Sequence, residues 1–133
     1  MRAIVIHNPY ANRWMSQRRL PEIHATLQSV GIEYELVSTT GPGHATELAS
    51  QATRLGYDAI LAAGGDGTIS EIVNGICQAP NLSASEKINV PLGILPLGSA
   101  NDLVVNLGLP TDLRASAAFL PAAKVRYIDL GTV

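Results

Sequence analysis

The chain lacks most of what would commit it to life outside the cell, inside a bilayer or wrapped on nucleic acid. Among 133 residues there is one cysteine, Cys77, so no internal disulfide is possible and a reducing compartment is expected. That thiol is expected to be a small core residue late in a helix. No apolar run is long enough to span a membrane, and Met1-Arg2 leads into only a short one, unlike a signal peptide. Charge is scarce too: 9 basic and 11 acidic residues give a net −2, which argues against a nucleic-acid partner held by bulk electrostatics. Arg13, Arg18 and Arg19 are the one local basic group. His7, His24 and His44 match no metal-ligand spacing, and no Ser-His-Asp set or G-x-S-x-G elbow is visible. Repeats, low-complexity segments and linkers are also missing, so residues 1–133 read as one domain. With 47% hydrophobic and 15% charged residues, that domain is globular.

What is present alternates. Ala3-Ile4-Val5-Ile6-His7 reads as a buried first strand stopped by Asn8-Pro9. Leu20, Ile23, Leu27 and Val30 mark a helix with Pro21 in its first turn and Gly31 at its stop. Residues 32–37 alternate like a strand near a sheet edge. His44 to Leu55 reads as a helix with Ala45, Leu48, Ala49, Ala52 and Leu55 inward. Residues 58–63 form a third strand, and Ile69, Ile72, Val73 and Ile76 a third helix. After an exposed loop at 79–90 come a strand at 91–95, a short helix from Leu103 to Leu107, and a helix capped by Thr111 or Asp112 that ends by Pro121. A last strand is expected at 125–130. It stops on Gly131-Thr132-Val133 without a polar tail, as a sheet edge or a cut inside a longer polypeptide would; an exposed last strand would invite pairing with a second copy. Strand–helix alternation of this kind predicts an α/β fold, a three-layer α/β/α sandwich on a mostly parallel sheet.

The chemistry gathers in two loops. Gly64-Gly65-Asp66-Gly67-Thr68 joins an apolar strand to a helix, the geometry that presents backbone N–H groups to an anion. The glycines are expected to allow close approach and positive φ angles. The Thr68 hydroxyl adds a donor. Asp66 cannot face phosphate unaided, so it acts through Mg²⁺ or takes a proton from an incoming hydroxyl. Glu71, four residues beyond Gly67, either helps through metal or water or is a solvated or capping carboxylate. Walker A needs a lysine that is missing here, and a dinucleotide fingerprint would follow the first strand, where Asn8-Pro9 stands instead. Asn8 either touches ligand or braces its own turn. In the second loop, Gly98-Ser99-Ala100-Asn101-Asp102, Ser99 could donate to phosphate or ribose, or Ser99 or Asn101 could simply cap the next helix.

Gly64-Gly65-Asp66-Gly67-Thr68, Glu71-Ile72-Val73-Asn74-Gly75 and Gly93-Ile94-Leu95-Pro96-Leu97-Gly98-Ser99-Ala100-Asn101-Asp102 together resemble the diacylglycerol kinase catalytic domain. That family includes bacterial lipid kinases and sphingosine and ceramide kinases, and is more distantly similar to NAD kinases and phosphofructokinases. Asn8-Pro9, Gly43-His44-Ala45 and Ile128-Asp129-Leu130-Gly131 extend the likeness along nearly the whole chain. The resemblance implies MgATP-dependent phosphorylation of a lipid hydroxyl, diacylglycerol or a related lipid. ATP would lie across Gly64, Gly65, Asp66, Gly67, Thr68, Ile69 and Ser70, with Asn8, Thr39 and Ser99 as further contacts and Asp66 as the catalytic carboxylate in this domain. Ser99 stands where many relatives have threonine, and Ala11-Asn12 where they usually have Ser-Gly. The family carries a further all-β domain that supplies part of the lipid pocket, metal ligands and a candidate base, so this chain by itself is expected to be inactive. A cytoplasmic protein touching the inner membrane face is implied. Two other readings stay open: a kinase of a soluble acceptor such as NAD, for which Asn-Glu would be expected at Asn101-Asp102, and a nucleotide-binding module without catalysis.

Overall fold

The computed structural model describes residues 2–11, 14–78, 90–97 and 102–122. Within them the elements run β1 (Arg2–His7), α1 (Met15–Arg18), α2 (Leu20–Ser29), β2 (Glu33–Ser38), α3 (His44–Ala52), β3 (Ala59–Gly64), α4 (Asp66–Cys77), β4 (Leu92–Pro96), α5 (Asp102–Asn106) and α6 (Leu113–Phe119), with a 3-10 turn at Leu120–Ala122. The final strand expected at 125–130 and most of the loop expected at 79–90 lie outside the described residues.

The four strands form one parallel sheet in the order β2-β1-β3-β4. Burial explains the order. β3 is buried along its whole length and β1 from Ala3 onward, so the two apolar runs sit in the middle. β2 carries exposed Glu33 and Glu35 and lies at the edge, as its alternation predicts.

Helices cover both faces, which makes three layers. Ile4, Ile6, Ile60, Ala62 and Ile94 point to one side, against Ala45, Ala49 and Ala52 of α3, Ile69, Ile72 and Ile76 of α4, and Val104 of α5. Ala3, Val5, Leu61, Ala63 and Leu95 point to the other, against Ile23 and Leu27 of α2 and Leu113 and Ala117 of α6. Each fully buried Ile or Leu contributes about 1.5–3 kcal/mol from burial alone. Alternate residues of each strand serve opposite layers, as a pleated sheet demands.

α3 and α4 pack closely because Gly75 lets them. A Cβ there would stand 2.1 Å from the Thr46 carbonyl oxygen. Thr46 Oγ1 donates to the Glu71 carbonyl at 2.8 Å across the same seam. α6 starts at Asp112, whose carboxylate accepts the Ala115 N–H at 3.1 Å, settling the cap between Thr111 and Asp112.

Two expectations are corrected. Leu55 is 60% exposed, because α3 ends at Ala52 and Leu55 falls in the turn before Gly56, whose φ is +76°. Cys77 is exposed rather than in the core. It is the last residue of α4, and the inward stripe through Ile69, Ile72 and Ile76 leaves the next position turned to solvent.

Candidate functional site

The chain leaves β1 to place β2 on one side, then crosses back to place β3 on the other. In open parallel sheets ligands bind outside the carboxyl ends of the strands at such a switch point. All four strands end on this edge, with His7 paired to Ser38 and to Ala63, and Gly64 to Pro96. Hydrogen bonding continues past the strand ends and pins the loops. Asn8 N–H donates to the Ala63 carbonyl at 2.9 Å, Thr39 N–H to that of His7 at 2.8 Å, and Leu97 N–H to that of Gly64 at 3.0 Å.

Gly64 closes β3, Gly65 precedes α4, and Asp66 and Gly67 are its first two residues. The positive φ angles expected at these glycines are not there. Gly65 is extended at φ −106° and ψ −164°, and positive φ falls instead on Gly31, Gly43, Gly56 and Gly108. At Gly64 the reason for glycine is space. A Cβ on Gly64 would lie 2.5 Å from Thr68 Oγ1, so Thr68 needs Gly64 bare. Gly67 is different: nothing lies within 4 Å of where its Cβ would be. Glycine within a helix costs roughly 0.5–1 kcal/mol relative to alanine. Neither packing nor backbone angle asks for it at 67, so the bare backbone leaves room for something from outside.

What that room exposes is the start of α4. Ile69 is the first residue to donate back into the helix, to Gly65 O at 3.1 Å. The N–H groups of Asp66, Gly67 and Thr68 come before it, at the positive end of a 12-residue helix. Thr68 is buried, and its hydroxyl accepts Asn8 Nδ2 at 3.0 Å. A hydroxyl that accepts one bond keeps a proton to donate. Asn8 Oδ1 meanwhile accepts the Tyr10 N–H at 2.9 Å. Asn8 therefore braces its own turn and reaches across the switch point at once.

Asp66 reaches the opposite way. Its carboxylate accepts the N–H groups of Asp102 at 3.0 Å and Leu103 at 3.2 Å, the first residues of α5. Part of the capping expected from the second loop thus comes from the first. A carboxylate offers roughly four acceptor positions, so two amides leave capacity for a metal or a hydroxyl. Ile69 is buried in the core, Ser70 is exposed, and Thr39 is buried where β2 ends. Ser99 lies outside the described residues. Glu71 turns to α3, where its carboxylate accepts the N–H of the capping residue Gly43; this is its capping alternative.

Beneath the loops His7 is buried. Its Nε2 lies 3.2 Å from the Ser16 carbonyl and 3.0 Å from Ser16 Oγ, and its Nδ1 2.9 Å from Ser38 Oγ. A carbonyl only accepts, so the proton is assigned to Nε2, and the Ser38 hydroxyl donates to Nδ1. Burial pushes the His7 pKa below the usual 6.5, against the opposing pull of the Ser16 carbonyl and with a smaller push from His24.

Tyr10 and Trp14 form a pair that no motif or periodicity announces. Their rings meet edge to face with centroids 4.4 Å apart, and Tyr10 Oη donates to the Thr40 carbonyl at 3.3 Å. Among the described residues no three His, Cys, Asp or Glu side chains are grouped to hold a metal ion, and no helix is long and apolar enough to cross a membrane.

The chain as a whole is similar to known proteins. A model of the diacylglycerol kinase catalytic domain matches residues 2–133. The chain is 35% identical over 130 residues to a diacylglycerol kinase of Staphylococcus saprophyticus, covering 98% of this chain and 40% of that protein. It is 36% identical over 129 residues to one of Staphylococcus haemolyticus, covering 97% of this chain and 37% of that protein. A diacylglycerol kinase crystal structure from Bacillus anthracis aligns with a TM-score of 0.73 at 27% identity, over 91% of this chain and 39% of the other. The chain therefore spans about two-fifths of the length of the relatives it matches.

Proposed function

The chain belongs to the diacylglycerol kinase catalytic domain family, and from that membership we propose that it supplies the ATP-binding part of a lipid kinase. One observation carries the reading. Gly67 keeps a side chain away from the first amides of α4 although the fold gains nothing by it. A triphosphate fits what that gap offers: unpaired N–H donors, a helix's positive end, and the switch point of a parallel sheet.

The roles follow from placement. Gly64, Gly65, Asp66, Gly67 and Thr68 hold the phosphates of ATP, with Ile69 and Ser70 behind them in α4 and Asn8 and Thr39 beside them at the strand ends; Ser99, outside the described residues, is assigned to the same nucleotide from the family resemblance alone. Asn8 acts partly through Thr68, by fixing its hydroxyl. Asp66 is the catalytic carboxylate of this part, held in place by the Asp102 and Leu103 amides. Mg²⁺ on a nucleotide commonly takes one or two carboxylates, with phosphate and water as the remaining ligands, so Asp66 suffices as its protein anchor without a three-residue cage. The metal supplies neutralisation of phosphate charge; the chain supplies position, which is most of what phosphoryl transfer asks of a protein.

Diacylglycerol or a related lipid is the acceptor that the relatives' names suggest, reached by transient contact with a membrane surface from the cytoplasm. Such an acceptor needs a large apolar cleft, and we assign it to the three-fifths of the relatives' length that this chain does not match. On this reading the chain alone binds MgATP and transfers nothing. Calorimetric titration with MgATP tests the first half. Assaying a protein that carries this chain and the remaining domain against diacylglycerol, sphingosine and NAD tests the second. No MgATP binding, or transfer to NAD but to neither lipid, overturns the proposal.

A further inference from the structure

We propose that Trp14, braced by Tyr10, is the stacking platform for the purine base of the bound nucleotide; this rests on the ATP-binding reading and extends it to how the base is chosen. Trp14 is the chain's only tryptophan and is 59% exposed, with Tyr10 beside it at 41%. Folding would gain by burying either ring, and it buries neither. Trp14 also holds φ at +71°, the one positive φ outside glycine among the described residues. That region is uncommon for a bulky side chain. The backbone is bent against its preference to present a ring to solvent.

The pair is wired to the phosphate cradle through consecutive contacts. Thr68, in the cradle, accepts from Asn8; Asn8 accepts from the Tyr10 amide; the Tyr10 ring meets Trp14 edge-on. The Tyr10 hydroxyl, bonded to the Thr40 carbonyl, fixes that ring against the loop after β2. A triphosphate seated at the start of α4 leaves its nucleoside to extend along the carboxyl edge of the sheet. On the β1 side that edge leads past Asn8 to Tyr10 and Trp14. A planar base stacks on an aromatic face with little regard to its identity. The platform therefore selects for a base without reading its edge, and ATP and GTP should bind within a few-fold of each other.

A lipid surface is the other occupant an exposed tryptophan suggests, and the contacts favour it less. Membrane-surface patches are supported by free basic side chains. Nearby Arg19 is paired with Glu22 at 3.1 Å, which leaves exposed Arg18 as the basic side chain described beside the pair, whereas Tyr10 donates to Asn8, which itself reaches Thr68 in the cradle.

The test uses the tryptophan itself. The chain is titrated with MgATP, MgGTP and magnesium tripolyphosphate, following Trp14 emission and, in parallel, heats of binding. Trp14→Gly removes the ring while keeping a residue suited to positive φ, so the variant should fold, as circular dichroism will verify. Both nucleotides should alter the emission, and tripolyphosphate should bind without altering it. Trp14→Gly should weaken ATP and GTP by about tenfold and leave tripolyphosphate unchanged. Equal nucleotide affinity in wild type and variant overturns the platform while leaving the ATP site standing. So does emission that responds to anionic phosphatidylglycerol vesicles and not to nucleotides. Failure of both ATP and tripolyphosphate to bind refutes the ATP site itself, and the platform with it.

Discussion

The two ends of the sheet are built from the same four strands and treat polar groups in opposite ways. At the amino end they satisfy one another. The Arg2 guanidinium bonds Glu35 at 3.1 Å and lies 4.5 Å over the Tyr57 ring, while the Tyr57 hydroxyl donates to the same carboxylate. Arg2 N–H donates to Asp58 Oδ2 at 2.8 Å. Tyr57's hydrogen bond, with Arg2 behind it, holds the Glu35 carboxyl below its usual range. At the carboxyl end the groups are held but not used up: amides before the first helical bond, a Thr68 proton, spare positions on Asp66. The difference lies in where the strands lead. At the carboxyl end, chains leave strands to begin helices, and helix starts carry donors with no partner in their own helix.

That contrast is open to attack, most forcefully at Gly64. It sits at the carboxyl end, yet its bareness serves the fold, through Thr68. Gly64→Ala should cost about 1–3 kcal/mol by overpacking, read as a lower denaturant midpoint. An unchanged midpoint would mean that Thr68 moves freely and that the cradle is loose.

Gly67 sharpens the contrast. Gly67→Ala should raise stability by up to about 1 kcal/mol, as alanine does in helices. The same change should weaken MgATP binding by at least about tenfold, which corresponds to roughly 1.4 kcal/mol. Loss of stability, or retention of affinity, would remove the argument that this glycine is kept for a ligand.

His7 links the carboxyl end to pH. Its folded pKa is lowered by burial, so below 6.5 the unfolded chain binds more protons than the folded one. Stability from this group is complete above that value and declines as pH falls through it, by at most about 1.4 kcal/mol per pH unit for one proton. Unfolding curves between pH 7.5 and 5 measure the decline, and His7→Gln should flatten it. A slope unaltered in His7→Gln would assign the effect elsewhere.

Smallest of all should be Glu35→Gln at the exposed amino end. It removes a charge from a solvated cluster, where ion pairs contribute little. Thermal stability should barely move and MgATP affinity should not move at all. A change in affinity would show that the two ends are coupled through β2.

Much of the molecule is legible in its sequence, and physical reasons separate what is from what is not. The buried strands and the helices are, because burial imposes periods of two and 3.6 on apolar residues. The passage from strand to helix at Gly64 to Thr68 is, because glycines between an apolar run and a helical stripe mark the change of period. Contacts between distant residues are not. Nothing in the order of residues says that Asp66 would hold α5 or that Glu71 would cap α3, since each joins elements set side by side only by packing. Cys77 is misplaced by its sequence because the last turn of a helix is where an apolar stripe ceases to predict burial. Trp14 escapes notice because an exposed aromatic leaves no period at all.

Gly75 and Gly67 lie on one helix and would part company under selection. In a library screened only for a folded chain, position 75 should admit nothing but glycine, because the Thr46 carbonyl occupies the space a methyl needs. Position 67 should drift toward alanine. Screened instead for MgATP binding, both should freeze. Two glycines eight residues apart would thus record, in the spectrum of tolerated replacements, which constraint comes from the neighbouring helix and which from a molecule that visits.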